Sequence, residues 1–549
     1  MEWLDVAKGL GSVTLVTTRN NAVLTSAKAK DIVVVPLLSE SEGWRLFCYQ
    51  AFGAGSPPQG PIVEIANDIC KECRGLPLAL AVIGGTMYNV KKLSQWRSAL
   101  NSLKQSRGAS IPMEEGLFHR LKFSYDKLDD VKKKCYLYFA AFPKDDEIPT
   151  HQLCSICQVE QLFVDCIEEE EASYEGMAIL ISLADQSLIE LSEDGRTAKM
   201  HDVLRDLAIR IIREAKPGDW ASECYFQLGK DLKTVPEFSS TVKRISLIDS
   251  TIQNFIANFQ VHQLQVLLLS RCETRDIDGK VIPLKFSDVF LGGIINVLYL
   301  DLSYTNLEEL PESIKELKAL VSLDLSWCEF LKELPGSIKE LKALSSLDFS
   351  RCRALKELPE GIKELTVLTY FNLLGCSSLE EFPGNIKGLK ALTSLDLSYC
   401  RVLKELPKGI KDLKALTTLK LRGCSSLKEL PRNIKELKAL SSLDLIGCSS
   451  LKQLPDGIKG LKAFTSLNLS GCLSLVELPE GIKELKALTS LDLSWCTSLK
   501  ELPQSIKELK ALTSLDLLGC TSLKELPMSL KELNIVIHEF SHNFSKENV

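Results

Sequence analysis

Apolar positions along the chain follow three different rhythms. From residue 297 onward, leucines recur as L-x-x-L-x-L-x-x-C-x-x-L, and the 24 residues of 321–344, VSLDLSWCEFLKELPGSIKELKAL, return almost unchanged. Pro311, Pro335, Pro359, Pro383, Pro407, Pro431, Pro455, Pro479, Pro503 and Pro527 mark that period at 24-residue intervals. Within one unit, Leu320, Leu323, Leu325, Leu331, Leu334, Ile338 and Leu341 are the expected inward positions, while VS, D and SW around the strand point outward. Earlier in the chain, helical spacing predicts helices over 41–52, 62–73 and 77–88, then a mostly helical stretch over 113–212 with a turn at 140–149. Ser39 or Ser41 is the expected N-cap of the first helix, and Pro77 opens the third at its first turn. The runs 11–19 and 32–38 are strand-like, and 187–202 reads as two short strands around Glu193-Asp-Gly195.

A fixed period of 20–29 residues with this leucine pattern is the signature of leucine-rich repeats. One such unit cannot bury its own apolar face, so units must stack, and their parallel strands line one concave side. The expected fold class is therefore α/β: a helical N-terminal part followed by a leucine-rich-repeat solenoid. GAGSPPQGP (53–61) reads as a linker, and 213–241 as a polar connector containing Pro217-Gly218 and Pro236. Irregular repeats begin at 242–256 and 264–272, and 297–311 leads into the regular array.

Composition changes this picture little. The chain of 549 residues is 45% hydrophobic and 25% charged, with a net charge of −6, which argues against a dedicated nucleic-acid binder. No apolar run approaches the ~18 residues of a membrane span. The opening MEWLDVAKGLGS lacks the basic and apolar regions of a secretory signal, so a cytoplasmic location is expected. Of 18 cysteines, nine form one column: Cys328, Cys352, Cys376, Cys400, Cys424, Cys448, Cys472, Cys496 and Cys520. They are expected to be buried free thiols whose S–H groups reach backbone carbonyls. No metal site is expected. His538-Glu-Phe-Ser-His542 has the H-E-x-x-H spacing but no third ligand downstream, and suits a terminal cap better. The Cys70/Cys73 and Cys154/Cys157 pairs are about 80 residues apart, unlike a zinc ribbon.

The residue between the two strand leucines makes a second column: Asp301, Asp324, Asp348, Asn372, Asp396, Lys420, Asp444, Asn468, Asp492 and Asp516. It predicts either a stripe for a basic protein surface or a solvated strand face whose carboxylates bond flanking Ser and Thr. Trp327, Tyr370, Tyr399, Lys420, Arg422 and Trp495 replace small or acidic residues at positions expected to be exposed on strands. Trp, Tyr and Arg are the residue types that most often anchor interfaces.

The N-terminal part also carries GSVTLVTTR (11–19), VVPLLSESEGWRLFCYQAF (34–52), CRGLPLAL (73–80), CYLYFAAFP (135–143) and MHDVLRDLA (200–208). In this order, ahead of leucine-rich repeats, these strings resemble the NB-ARC domain of plant intracellular disease-resistance proteins. The resemblance implies the end of a nucleotide-binding subdomain at 1–57, a helical subdomain at 58–112, and a winged-helix-like subdomain at 113–225. Irregular repeats (240–296) and regular repeats with a C-terminal cap (297–549) follow. It implies a switch closed by ADP and opened by ATP, with repeats that sense a pathogen effector or host target and restrain activation. By resemblance, Arg19 faces the terminal phosphate, Pro77 packs on adenine, and His201 contacts the ADP β-phosphate; none is catalytic. The implied partners are proteins, including the receptor's own N-terminal domains, and oligomerisation belongs to the complete receptor. One departure stands out: no G-x-x-x-x-G-K-[ST] occurs, nor an apolar strand ending in paired acids for Mg²⁺. ATP hydrolysis is therefore not expected, and ADP binding by this chain is expected to be weak or absent. The alternative is a nucleotide-independent adaptor, or a truncated or decayed receptor fragment.

Overall fold

In a computed structural model of the protein, the described residues are 32–53, 57, 60–105, 113–163, 169–232, 236, 238–252, 259–276, 278–382, 384–528, 530, 533 and 535–538. Arg19 and the run 11–19 lie outside them. The chain forms two compact units, residues 1–127 and 128–549.

In the first unit, α1 (Glu40–Phe52) begins at Ser39, which takes part in a capping box. The Ser39 hydroxyl accepts the Glu42 N–H, and the Glu42 carboxylate accepts the Ser39 N–H at 3.0 Å. Helices α2 (Ile62–Glu72) and α3 (Pro77–Thr86) are separated by Arg74 and Gly75, both left-handed at φ 52° and 69°. A Cβ on Gly75 would lie 2.4 Å from the Leu38 carbonyl oxygen, so the turn requires glycine. Helices α4 (Leu93–Gln105) and α5 (Met113–Asp126) complete the bundle around Phe47, Ile69, Leu80, Ile83 and Trp96, all fully buried. Because α5 packs on α3 and α4, the break between units falls after Lys127 rather than at residue 112. The expected strand at 32–38 does not form. An extended segment becomes a strand only by pairing, and no ladder holds this one among the described residues, where Val33, Val34 and Val35 remain 82–87% exposed.

The second unit opens with α6 (Asp130–Tyr138), β1 (Ile148–Pro149), α7 (Thr150–Val159), α8 (Glu169–Asp185), β2 (Glu190–Leu191), β3 (Thr197–Lys199) and α9 (Asp202–Arg213). The three strands pair antiparallel in the order β1-β3-β2, which realises the hairpin expected around Gly195. Helices α7 and α8 approach so closely at Gly176 that a Cβ there would lie 2.7 Å from Cys154 Sγ.

Among the described residues the solenoid follows with a sheet of 14 parallel strands, and a four-stranded sheet (Asp231–Leu232, Thr251–Ile252, Glu273–Arg275 and Val281–Ile282) accompanies its first coils. The first strand of the larger sheet, Cys224–Phe226, comes from the stretch 213–241 that its polar composition marks as a connector. It pairs with Arg244–Ser246 and becomes the terminal strand of the sheet. Later strands stack in register, Leu323 against Leu347 and Leu347 against Phe371, up to Ser514–Asp516 and the closing strand Val536–His538. His538 thus lies in a strand, and residues 539–542 of the H-E-x-x-H stretch lie outside the described residues. On the opposite side of most regular coils a proline-led 3₁₀ turn, such as Gly336–Glu340 after Pro335, brings the chain back.

The leucine and cysteine columns meet in one continuous core. Each column thiol from Cys328 to Cys520 donates to a backbone carbonyl of the preceding coil at 3.1–3.3 Å. Threonine hydroxyls tie successive strand starts in the same way, as Thr369 does to the Ser345 carbonyl at 2.9 Å. Leu419, fully buried mid-array, tests how far this core is shared. Leu419→Ala should lower unfolding stability by about 3 kcal/mol in urea denaturation, and should disturb both neighbouring coils.

Candidate functional site

The outward strand positions do more than face solvent. Oδ1 of each Asp or Asn in the column accepts the backbone N–H two positions on, Lys420 being the exception: Ser303 for Asp301 at 2.8 Å, Ser326 for Asp324 at 2.8 Å, Ser398 for Asp396 at 2.9 Å and Ile446 for Asp444 at 3.0 Å. Asn372 and Asn468 make the same bond at 3.0 and 2.9 Å, and their amides reach on to Asp348 at 2.8 Å and Asp492 at 2.9 Å. These bonds turn the chain out of the strand, a local structural task that backbone geometry imposes on every coil. The carboxylates are thus held by backbone N–H groups together with flanking hydroxyls, as where Ser494 Oγ donates to Asp492 Oδ1 at 2.7 Å.

The turn that follows is left-handed in every coil from Asp249 to Gly519, with φ between 56° and 77°. Trp327, Tyr399 and Trp495 stand here, beyond the strands on which they were expected, beside Arg271, Tyr304 and Arg351. A non-glycine residue in this conformation costs about 1 kcal/mol, so contacts must compensate. Tyr304 stacks on Trp327 with centroids 5.2 Å apart and 11° between planes, and Arg351 lies 5.3 Å over the same indole. Arg351, Tyr399 and Trp495 each lean over a glycine of the next coil, Gly375, Gly423 and Gly519, where a Cβ would come within 2.6–2.9 Å. Trp327 is half-buried by its stack, whereas Trp495 stays 56% exposed. Tyr370 is on a strand as expected, but half-buried. Lys420 and Arg422 are exposed and pair with neighbouring acids, Asp396 at 3.5 Å and Asp444 at 3.0 Å, so they interrupt the acidic column.

At the N-terminal end of the sheet the strand face is occupied. Gln152 Nε2 on α7 donates to Asp301 Oδ2 at 2.9 Å, which leaves that aspartate buried. Asp146 pairs with Arg271, and Ser246 Oγ donates to the Ala141 carbonyl at 2.6 Å. Just past α7, Glu160 meets Arg244 Nε at 2.5 Å, with the two side chains 2% and 6% exposed. Arg244 also reaches Glu223 at 2.9 Å, and the Trp220 ring covers its guanidinium at 4.1 Å. Beside this contact, His151, Arg271, Asp324, Trp327, Asp348 and Tyr370 line a cleft of about 360 Å³. Burial, and then the neighbouring Asp301 and Asp348, push the Asp324 carboxyl well above the usual range; burial raises Asp301 and Asp348 in the same direction.

The helical docking residues Gln152, Glu160, Arg244 and Arg271 were not singled out by sequence pattern. The available signal was Arg244 itself, a cation at a strand position where the regular repeats carry Ser, Thr or Tyr.

Comparison with known proteins fits this architecture. The family described as "Leucine-rich repeat region" matches residues 241–401, and "Leucine Rich Repeat" matches 391–413. A "probable disease resistance protein" of Arabidopsis thaliana is 31% identical over 333 residues, covering 60% of this chain and 35% of the relative. Disease resistance protein SUMM2 of the same plant is 32% identical, covering 58% and 35%. The chain is a leucine-rich-repeat relative of plant disease-resistance proteins. It spans about a third of the length of the curated relatives it matches. An internalin from Listeria monocytogenes superposes with a TM-score of 0.43 at 16% identity, over 61% of this chain and 93% of that one, a likeness too loose to inform function.

In this resistance-protein relative, the residues expected at a nucleotide site stand at helix starts. Pro77 is the exposed first residue of α3. His201 is the N-cap of α9, where its Nδ1 accepts the Val203 N–H at 3.2 Å, and Asp202 beside it pairs with Lys144. Arg19 lies outside the described residues. No helix among the described residues is long and apolar enough to cross a membrane.

Two substitutions probe the geometry. Arg244→Ala strands the buried Glu160 carboxylate and should cost about 3–5 kcal/mol, most of which Arg244→Met with Glu160→Leu should restore in urea denaturation. The raised carboxyls of Asp301, Asp324 and Asp348 hold protons more tightly folded than unfolded. Their contribution to stability is therefore full below the ordinary carboxylate value near ~4 and is lost as pH rises through the raised values. Asp324→Asn keeps the turn-capping oxygen, as Asn372 does, and should raise the denaturation midpoint at neutral pH while flattening its rise toward acid.

Proposed function

We propose that this chain works as the sensing and restraining part of an NB-ARC-type disease-resistance receptor. The observation that carries this reading is the seat of α7 on the first coils through Gln152–Asp301, Asp146–Arg271 and Glu160–Arg244. A helical region held in this way on the strand face is positioned to be released when something else competes for that face. Its helices and the β1-β3-β2 hairpin suit a winged-helix-like subdomain, and the exposed Trp495, Lys420 and Arg422 lie further along the same solenoid as contact points for a protein ligand. A pathogen effector or a modified host protein is the class of ligand this reading assigns.

The nucleotide half of the reading is supported by His201. With Nδ1 accepting a backbone N–H, the neutral ring carries its proton on Nε2, a donor at the start of a 12-residue helix whose dipole favours an anion. That suits contact with the β-phosphate of ADP. A second reading is a nucleotide-independent protein-binding adaptor, in which the exposed Trp495 and the exposed Lys420 and Arg422 carry the function by themselves.

Calorimetric titration of ADP into the 549-residue chain separates the two. The switch reading expects weak binding that His201→Ala lowers about tenfold, which corresponds to ~1.4 kcal/mol. Equal affinity in the variant would remove His201 from the site. No heat at millimolar ADP would leave the adaptor.

A further inference from the structure

Three cysteines meet on the side of α7 that packs against the other helices. Cys135 on α6 and Cys157 on α7 have their sulfurs 3.3 Å apart, and both are buried, at 4% and 3% exposure. Cys154, one turn earlier on α7, joins them around a void of about 10 Å³, also lined by Leu153, Phe163 and Leu180. A void of that size holds about one water-sized molecule. The solenoid column offers a contrast. There each thiol is occupied by a backbone carbonyl, as Cys424 is by Leu397 at 3.1 Å, whereas Cys135 and Cys157 bond to each other. Close packing holds the arrangement: α8 can lie against Cys154 only because residue 176 is glycine.

We propose that Cys135 and Cys157 are a thiol-oxidation site that closes to a disulfide on reaction with a small neutral peroxide. The thiolate of one cysteine attacks an oxygen of hydrogen peroxide, the O–O bond breaks, and the released hydroxide takes up a proton to become water. The second sulfur then attacks the resulting sulfenic acid, forming the S–S bond and releasing a second water. In balance, two thiols and one peroxide give one disulfide and two waters. Closing from 3.3 Å to the ~2.05 Å of a disulfide asks each sulfur to move only about 0.6 Å. The void lies against both sulfurs but holds only one water-sized molecule, so the oxidant, about twice that size, reaches them only when the surrounding packing opens. The contact with Cys135 and burial hold the Cys157 thiol protonated, and burial pushes Cys154 up to about 12, so the reaction is slow compared with that of an exposed thiolate.

The bond would bear on the docked state. Helix α7 carries Gln152, and Glu160 follows it directly, so a link to α6 pins the element that grips the solenoid. The test is peroxide treatment of the folded 549-residue chain. Alkylation of remaining thiols, denaturation, non-reducing digestion and mass spectrometry then follow. The expected result is one linked peptide pair joining Cys135 to Cys157, lighter by two hydrogens, retained in Cys154→Ser and lost in Cys157→Ala, with a higher melting temperature for the oxidised wild type. Both cysteines alkylated after treatment, a Cys154–Cys157 link, or links only between chains would overturn the proposal. Should Cys157→Ala fail to fold, the wild-type and Cys154→Ser peptide maps decide by themselves.

Discussion

Each 24-residue coil has an apolar face that it cannot cover alone, and the rest of the molecule answers to that constraint. Leucines stack on leucines, as Leu419 does between Leu395 and Leu443, only if every coil keeps the same register. Register in turn requires that the corners of each coil satisfy their backbone polar groups without help from water. The thiol column, the Thr and Ser hydroxyls and the Asp or Asn oxygens meet that requirement, each at a different corner. Much of the polar consensus is therefore internal scaffolding. The aspartate column, which looks like a charged binding stripe, spends one oxygen of each residue on a backbone N–H.

A stack built this way has two ends that stacking alone cannot finish. At the N-terminal end the strand Cys224–Phe226 extends the sheet, and the helical region covers part of the strand face. The contact is polar and partly charged, with Arg244 desolvated between Glu160, Glu223 and the Trp220 ring. A buried ion pair adds little net stability over an apolar substitute, but it punishes any arrangement that leaves one partner alone. That makes it a good device for one defined docking position. The same enclosure raises the Asp301, Asp324 and Asp348 carboxyls, so the occupied end of the face differs electrostatically from the middle of the array, where Lys420 and Arg422 sit among acids.

The left-handed turn column adds a second layer to the surface. Seven coils from Asp249 to Trp495 hold a side chain at a backbone conformation better suited to glycine. Tyr304, Trp327 and Arg351 offset that cost by stacking on one another, while Tyr399 and Trp495 lie over the glycine of the following coil. Glycine at 375, 423 and 519 is thus needed twice, for its own φ and for the side chain above it.

The sequence by itself determined the solenoid, its period, its buried columns and the helices expected at 41–52, 62–73 and 77–88, which form at Glu40–Phe52, Ile62–Glu72 and Pro77–Thr86, because those features are written in local spacing and in caps such as Ser39 and Pro77. Resemblance pointed to the plant resistance family through short strings whose order carries the information. What the sequence could not contain is which outward residues meet. Asp301 and Asp324 occupy the same repeat position, yet one is bonded by a glutamine 149 residues away and the other lines a cleft. Trp327 and Trp495 are likewise equivalent by period, yet one is covered and the other open. Only the tertiary structure decided those fates, because repeat periodicity places a side chain on a surface, while the docked helix and the side chains of the adjoining coils determine whether that surface is still free.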